Sequence, residues 1–526
     1  MIEPRNAKTI PILIDAAAEK FGDKTFLQQG DQQYSFRDLA VQCRRVAACL
    51  IARGIEPGDR IAVWAPNTCE WILAALGAQY AGAIMVTMNT RYKGAEAAYT
   101  LRKSRARLLF SAGNFLGSYY PDMLKNETLP DLETIVVFDD QLPSGQPQSQ
   151  VNWPSFLDSG ATIEAQAISD RAQQIRGDHT SDILFTSGTT GAPKGVMTGH
   201  AQNIKTFASW TQSLGLNQDD RYLVISPFFH SFGYKAGILA ALIRGATLLP
   251  HDIFDPKTIL ERIQNDAITV MPGPPTLFQS LLAFEDLDRY NISSLRRATT
   301  GAASIPVEMI RQMKDTLGFE TVLTAYGLTE SCGLSTMCRQ GDSAETIATT
   351  SGRAIADVEI RCVDNNNKPV NIGEAGEIVI RGYNVMQGYF ENPEATAETI
   401  DQDGWLHTGD IGVLDKDGNL RITDRLKDMF ITGGFNCYPA EIENILSNHT
   451  DVTMSAVIGI EDERMGEVAQ AFVVTKPDSA LDQQQLINWC RDNMANYKVP
   501  RKVVFVETLP LNASGKVQKT ELRDLA

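Results

Sequence analysis

The chain has 526 residues, 43% hydrophobic and 21% charged, the make-up of an ordinary globular protein long enough for two or more domains. Its formal net charge is −16 and its pI about 5.0, which argues against a nucleic-acid binder, whose footprint is basic. Any anionic ligand must therefore be held by local basic groups.

The opening stretch MIEPRNAKTIPILIDAAAEKF has no long apolar region behind a basic segment, so no signal peptide is expected. The most apolar run, Trp71 to Val86, is rich in Ala and Gly, includes Gln79 and Tyr80, and is shorter than the ~20 residues of a membrane span. A buried helix running into a strand is expected there. The eight cysteines form no CxxC and no zinc-spaced cluster with the six histidines, so scattered buried thiols in a reducing cytosol are expected.

RIAVWA (60–65) reads as a strand, 69–82 as a helix, IMVTM (84–88) as a strand, 92–106 as a helix and RLLFSA (107–112) as a strand. That alternation is the rhythm of a mostly parallel sheet with helices on its faces. QLPSGQPQSQ (141–150) reads as an exposed loop. DILFT (182–186) is a predicted strand that delivers the chain into TSGTTGAPKG (186–195). This segment is not the P-loop of kinases: counting from Gly188, the fifth position on is Pro193, and Lys194 is followed by Gly195. Successive N–H groups of a Gly-rich turn can still converge on phosphate oxygens, with the hydroxyls of Thr186, Ser187, Thr189 and Thr190 and the charge of Lys194 added. A polar surface loop is the ordinary reading of such a composition; the strand in front and the full pattern speak against it here.

HAQNIKTFASWTQSL (200–214) follows as a helix, and RYLVISP (221–227) and ATLLPH (246–251) as strands. From about residue 350 the strands become short and alternating, and Asp417-Gly418 signals a hairpin. A small barrel-like β unit is expected there. The last hundred or so residues read as a separate α+β unit. YPAEIENILSNH (438–449) has Ile442, Ile445 and Leu446 at helical spacing, with Pro439 suited to a first turn. AVIGI and AQAFVVTK follow as strands, LDQQQLINWCRDNM as a helix and VVFVETLP as a strand.

Five further segments come in order after the Gly-rich loop: LTAYGLTE (323–330), GWLHTGD (404–410), DRLKDMF (424–430), GGFNCYPAEIE (433–443) and LPLNASGKVQK (509–519). Together with Ser-Gly-Thr-Thr-Gly-x-Pro-Lys-Gly, they resemble the adenylate-forming superfamily of acyl-CoA synthetases, peptide-synthetase adenylation domains and firefly-type luciferases. The likeness runs from about residue 25 to the C-terminus. It implies an α/β fold: a large N-terminal domain (1–426) of doubly wound sheets with a small β-barrel subdomain, and a small mobile α+β domain (427–526). The Gly-rich loop would then hold the pyrophosphate that leaves ATP, through Thr186, Ser187, Gly188, Thr189, Thr190, Gly191 and Lys194. Gly301, Ala302 and Ala303 of TGAAS (300–304) would face the adenine, Tyr326 and Gly327 would pack on it, and Thr329 would bond the α-phosphate.

By the same resemblance Glu330 binds Mg²⁺, a hard cation that suits triphosphate and carboxylate oxygen. Read alone, Glu330 is a solvated surface acid. Asp410 would accept from the ribose hydroxyls, with Arg425 beside it. Lys427 and Asp428 would form the pivot between domains. Gly433 and Gly434 would line the pantetheine tunnel, where a missing Cβ lets a ligand run close to the backbone. Lys516 would reach back to the carboxylate and α-phosphate, a cation between two anions that must approach. ATP, Mg²⁺ and coenzyme A are the implied cofactors. The implied partners are a carboxylic acid and CoA, with no nucleic acid and no integral membrane segment, in the cytoplasm. A homodimer is compatible with the resemblance.

Peptide-synthetase domains place an Asp where this chain reads PFFHSFG (227–233), so His230 and Ser231 argue against an amino-acid substrate. The resemblance makes His230 a gate between carboxylate and thiol tunnel, set against a core histidine. The lysine that some luciferase-type members use at the CoA step is Ile431 here, as in acyl-CoA synthetases that lack it. Fatty acyl-AMP ligases, which stop at the adenylate, depart from the GGxNxxPxEIE pattern that is intact here. Residues 228–237, MPGPPT (271–276), TGAAS and 331–336 are expected to line an apolar acyl tunnel. FFHSFGYKAGILAAL with PGPPT is similar to a bacterial fatty-acyl-CoA synthetase branch that includes HIP-CoA ligase, which acts on a steroid-ring-derived propanoate. That substrate and a medium- or long-chain fatty acid both stay open. Lys235 has no role in this reading: a polar group of an unusual substrate and water both stay open as its surroundings.

Overall fold

The computed structural model describes residues 2–186, 193–301, 305–425, 428–432, 435–462, 465–494, 496–512 and 517–525, excluding the side chains of Asp424, Arg425, Ile431, Phe435 and Asn436. Two capped helices open the chain. The Thr9 hydroxyl accepts from the Ile12 N–H at the start of Ile10–Phe21, and a Ser35/Asp38 capping box starts Phe36–Ala52. Every residue of the helix Cys69–Tyr80 except Glu70 is buried, as its largely apolar sequence predicts, and the helix leads, after a short turn, into the strand Ile84–Thr87. Among the described residues no helix is long and apolar enough to cross a membrane.

The βαβ rhythm of residues 60–112 builds the centre of an eight-stranded sheet. Its order is Gly388–Tyr389, Lys194–Gly199, Thr180–Thr186, Ile84–Thr87, Arg60–Trp64, Ala106–Ser111, Thr134–Val137, Gln150–Asn152. Neighbours are parallel from Thr180–Thr186 onward, while Lys194–Gly199 and Gly388–Tyr389 add antiparallel at one edge. Thr186 lies at the carboxyl end of its strand, the side on which open α/β sheets hold ligands, and pairs with Lys194 where the chain returns. A second sheet joins Gln32–Ser35, Thr25–Gln29, Thr247–Pro250 and Arg221–Val224, and continues through bridges at Val270 to Arg297–Thr300 and Thr321–Tyr326. One hydrophobic core fills the space across both sheets.

Residues 358–425 form a four-stranded antiparallel unit, and the strands Leu406–Leu414 and Leu420–Arg425 pair across a turn in which Gly418 has φ +80°, as Asp-Gly foretells. Beyond it a second core gathers Phe430, Ile442, Val457, Ala471 and Leu486. Around that core lie the strands Val452–Asp462, Gly466–Thr475 and Lys502–Phe505 and the helices Pro439–Leu446 and Gln483–Asn493. All eight cysteines are free and buried, as expected. One element was not legible in the sequence: a π-helical stretch, Tyr234–Leu239, between the short helix Ser231–Gly233 and the helix Ala240–Arg244. Such stretches concentrate at functional sites.

Candidate active site

The strand Thr321–Tyr326 runs into a sharp turn that presents Glu330. Gly327 starts it: a Cβ there would lie 2.4 Å from the Leu334 nitrogen, so only glycine fits without movement. The Leu328 N–H donates to the Ser331 hydroxyl (2.9 Å), fixing the single 3-10 turn Thr329–Ser331. Cys332 (φ +62°) and Gly333 (φ +93°) then fold the chain back, and the Gly333 N–H reaches the Leu328 carbonyl at 2.7 Å.

Two other segments meet the Glu330 carboxylate, and a third packs on one of them. Tyr389 donates its hydroxyl to Glu330 Oε1 at 3.0 Å, and the Thr186 hydroxyl lies 3.5 Å from the same oxygen. The Lys194 ammonium sits 4.9 Å from the centroid of the Tyr389 ring, a cation–π contact. The edge strand that carries Tyr389 is pinned on both sides, by Phe390 N–H to Gly195 C=O (2.7 Å) and Met386 N–H to Glu330 C=O (2.8 Å). Burial, and then the Glu330 charge, hold the Tyr389 phenol far above its usual range, so it remains a donor. At the other end of the same segment, Tyr326 donates to Asp410 Oδ2 at 2.7 Å, and both residues are buried. Asp410 in turn pairs across the sheet with the backbone of Arg425.

His230 caps the short helix Ser231–Gly233: its Nδ1 accepts from the Phe232 N–H at 3.2 Å. The segment is tied to the large sheet, because Asn67 accepts from the Phe228 N–H (2.7 Å) and Thr87 donates to the Phe229 carbonyl (2.7 Å). It abuts the Glu330 turn, since a Cβ on Gly333 would come 3.0 Å from the Ser231 hydroxyl. Gly301 follows the strand Arg297–Thr300 and lies beside the Ala325 carbonyl. Asp428 accepts from Arg523 of the helix Lys519–Asp524 at 2.9 Å.

Ser187, Gly188, Thr189, Thr190, Gly191, Ala302, Ala303, Lys427, Gly433, Gly434 and Lys516 lie outside the described residues, as does the side chain of Arg425. Lys235 neither faces water nor points to a substrate; it is fully buried, 3.1 Å from Asp182 Oδ1, and donates to the Thr198 hydroxyl at 2.9 Å. Charge burial of this kind requires a partner, and the partner comes from a distant strand. Tyr389 was missed altogether. Its only sequence signal is an aromatic residue after Gly388 in a short segment stopped by Asn392-Pro393.

Among the described residues no group of three or more His, Cys, Asp and Glu side chains is placed to hold a metal. The lone Glu330 carboxylate with a neighbouring hydroxyl fits Mg²⁺, which takes one or two carboxylates and otherwise keeps water and phosphate oxygens.

A family described as AMP-binding enzyme matches residues 14–390, and one described as AMP-binding enzyme C-terminal domain matches residues 441–516. The 3-(7a-methyl-1,5-dioxo-octahydro-1H-inden-4-yl)propanoyl:CoA ligase of Mycobacterium tuberculosis (strain ATCC 25618 / H37Rv) is 48% identical over 518 residues, covering 98% of this chain and 99% of that protein. The ligase of the same name from Rhodococcus jostii (strain RHA1) is 46% identical over 520 residues, 98% of each chain. Among solved structures, the anthranilate CoA ligase AuaEII in complex with anthranoyl-AMP is similar, with a TM-score of 0.89 at 28% identity, covering 98% of this chain and 97% of that one.

Proposed function

Because this chain belongs to the AMP-binding enzyme family, we propose that it is an AMP-forming acyl-CoA synthetase, an acid–thiol ligase that turns a carboxylate, ATP and CoA into acyl-CoA, AMP and pyrophosphate. The observation that carries this reading is a convergence. Thr186, Lys194, Glu330 and Tyr389 come from four separate segments and meet where the Gly-rich loop leaves and rejoins the sheet. Tyr326, at the other end of the segment that holds Glu330, meets Asp410.

In the first half-reaction a carboxylate oxygen attacks the α-phosphorus, and the bond to pyrophosphate breaks. Thr186, Lys194 and the loop residues 187–191 hold the departing pyrophosphate. Glu330 would hold Mg²⁺, which offsets charge on the triphosphate, and Tyr389 orients the Glu330 carboxylate. Asp410 and Arg425 bind the ribose, and Tyr326, with Gly301 to Ala303, bounds the adenine. Lys516 stands between the two anions that must meet. We place the domain boundary at 426/427, with Lys427 and Asp428 as the pivot that withdraws Lys516 after acyl-AMP forms. The CoA thiol then enters along 433–437, past His230. It attacks the acyl carbonyl, the C–O bond to AMP breaks and the thiol proton is lost. The complete GGFNCYPAEIE segment favours this second half over an enzyme that stops at the adenylate.

The substrate class follows from the level of identity to the two ligases named for a bicyclic dione propanoate. That class, a steroid-ring-derived propanoate, is favoured over a straight medium- or long-chain fatty acid. Comparing kcat/KM for the bicyclic propanoate with octanoate and palmitate tests it. A preference of about tenfold or more for the bicyclic acid is expected, the scale that apolar pocket fit provides. Equal or better use of the fatty acids overturns the substrate assignment.

A further inference from the structure

Six side chains, none more than 1% exposed, form a closed polar network around the two strands that flank the Gly-rich loop, and the chemistry proposed above uses none of them. Asp182 is its hub. Its Oδ1 accepts from Thr198 (2.7 Å) and pairs with the Lys235 ammonium (3.1 Å). Its Oδ2 accepts from Ser181 (2.6 Å) and Asn203 (2.6 Å). The remaining acceptor of Asn203, Oδ1, takes the thiol proton of Cys332 at 3.0 Å. Lys235 also donates to Thr198 at 2.9 Å.

The origin of these residues matters more than their number. Asp182 lies on the strand that enters the Gly-rich loop and Thr198 on the strand that leaves it. Cys332 lies two residues past Glu330, in a left-handed conformation that a non-glycine residue holds only when its surroundings impose it. Lys235 comes from the first turn of the π-helical stretch. Its ammonium therefore links the side chains of both strands and, through Asp182 and Asn203, the Cys332 end of the Glu330 turn.

The π-helical stretch has other anchors of its own. Tyr222 donates to the Ala236 carbonyl (2.9 Å), and Gln79 donates to the Tyr234 hydroxyl (2.7 Å). Loss of Lys235 would thus loosen the side-chain support shared by the two strands and the Glu330 turn while leaving their backbone ladder and the His230 segment in place.

Resting on the acyl-CoA synthetase reading, we propose that Lys235 is a positioning residue for adenylation alone: through Asp182 it aligns the pyrophosphate loop with the Glu330 turn. The pyrophosphate loop and the Glu330 carboxylate serve the first half-reaction, and pyrophosphate has left before the thiol attacks. The effect should therefore divide between the half-reactions, which a general loss of packing would not do.

Lys235→Met alone strands a buried carboxylate and is a poor test if it fails to fold. The double variant Lys235→Met/Asp182→Asn removes both charges together and supplies the readable protein. Two rates are measured for it and for the wild type: acid-dependent ATP–pyrophosphate exchange, and conversion of supplied acyl-AMP and CoA to thioester. Exchange is expected to fall about 10- to 100-fold, the usual cost of losing a support behind a ligand-holding group, with thioester formation within about twofold of wild type. An equal fall in both, or no fall in exchange, overturns the proposal. A wild type that makes thioester from acyl-AMP but shows no exchange with any acid removes the underlying reading, and the proposal with it.

Discussion

Replacing Tyr389 by Phe isolates one hydrogen bond at the proposed metal-binding carboxylate. The ring stays, so its face remains under Lys194 and its packing against Val196, Met386 and Ala395 is kept. Only the hydroxyl that donates to Glu330 at 3.0 Å is lost. A hydrogen bond to a charged group contributes about 1.5–3 kcal/mol. Glu330 is only partly buried, so water can replace some of that, and the lower end, about 1.5 kcal/mol, applies. This corresponds to about a tenfold fall in kcat/KM for MgATP in pyrophosphate exchange, since 1.4 kcal/mol is one decade. The assay is exchange at varied MgATP, with conversion of supplied acyl-AMP by CoA measured beside it. Tyr389→Leu, which also removes the ring from under Lys194, should fall further. An unchanged MgATP dependence in Tyr389→Phe, or an equal loss in the thioester half, refutes the orienting role.

Lys516→Ala should cut acyl-AMP formation by about two to three decades, as loss of a preorganised donor does, and still convert supplied acyl-AMP and CoA; intact exchange would refute the assignment. His200 gives a pH prediction. It is fully buried, accepts from the Ile10 N–H at 3.3 Å, and burial pushes its imidazole down to about 4 from an ordinary value of 6.5. A depressed value in the folded state means that the unfolded chain takes up the proton first. The stability it provides is therefore fully present above pH 6.5 and is lost as pH falls toward 4, about 3 kcal/mol in all. Urea midpoints of wild type and His200→Gln should diverge in slope across that window, and parallel profiles would contradict the account.

Local signals carried most of the fold. The helix His200–Leu214 is bounded as its pattern predicts, and Gly215 in a left-handed conformation ends it. The buried helix Cys69–Tyr80 and the Asp-Gly hairpin were legible for the same reason: each rests on residues adjacent in sequence. The π-helical stretch has no period of its own, so nothing in YKAGIL marks it. Lys235 was not legible because its environment is decided by Asp182, far back in the chain, and a lysine in an apolar run looks alike whether it snorkels to water or pairs inside. Motif spacing grouped Tyr326, Glu330 and Asp410 with the Gly-rich loop by resemblance. Only the fold brings Tyr389 to the Glu330 carboxylate, because that contact depends on how an edge strand is laid against Lys194–Gly199.

The most direct test of the central claim is a single-turnover reaction with the bicyclic propanoate, MgATP and enzyme, quenched with and without CoA, with products identified by mass. The account predicts enzyme-bound acyl-AMP and pyrophosphate without CoA, and complete conversion to acyl-CoA and AMP when CoA is added. Acyl-AMP that persists in the presence of CoA would contradict it and make the chain an enzyme that ends at the adenylate.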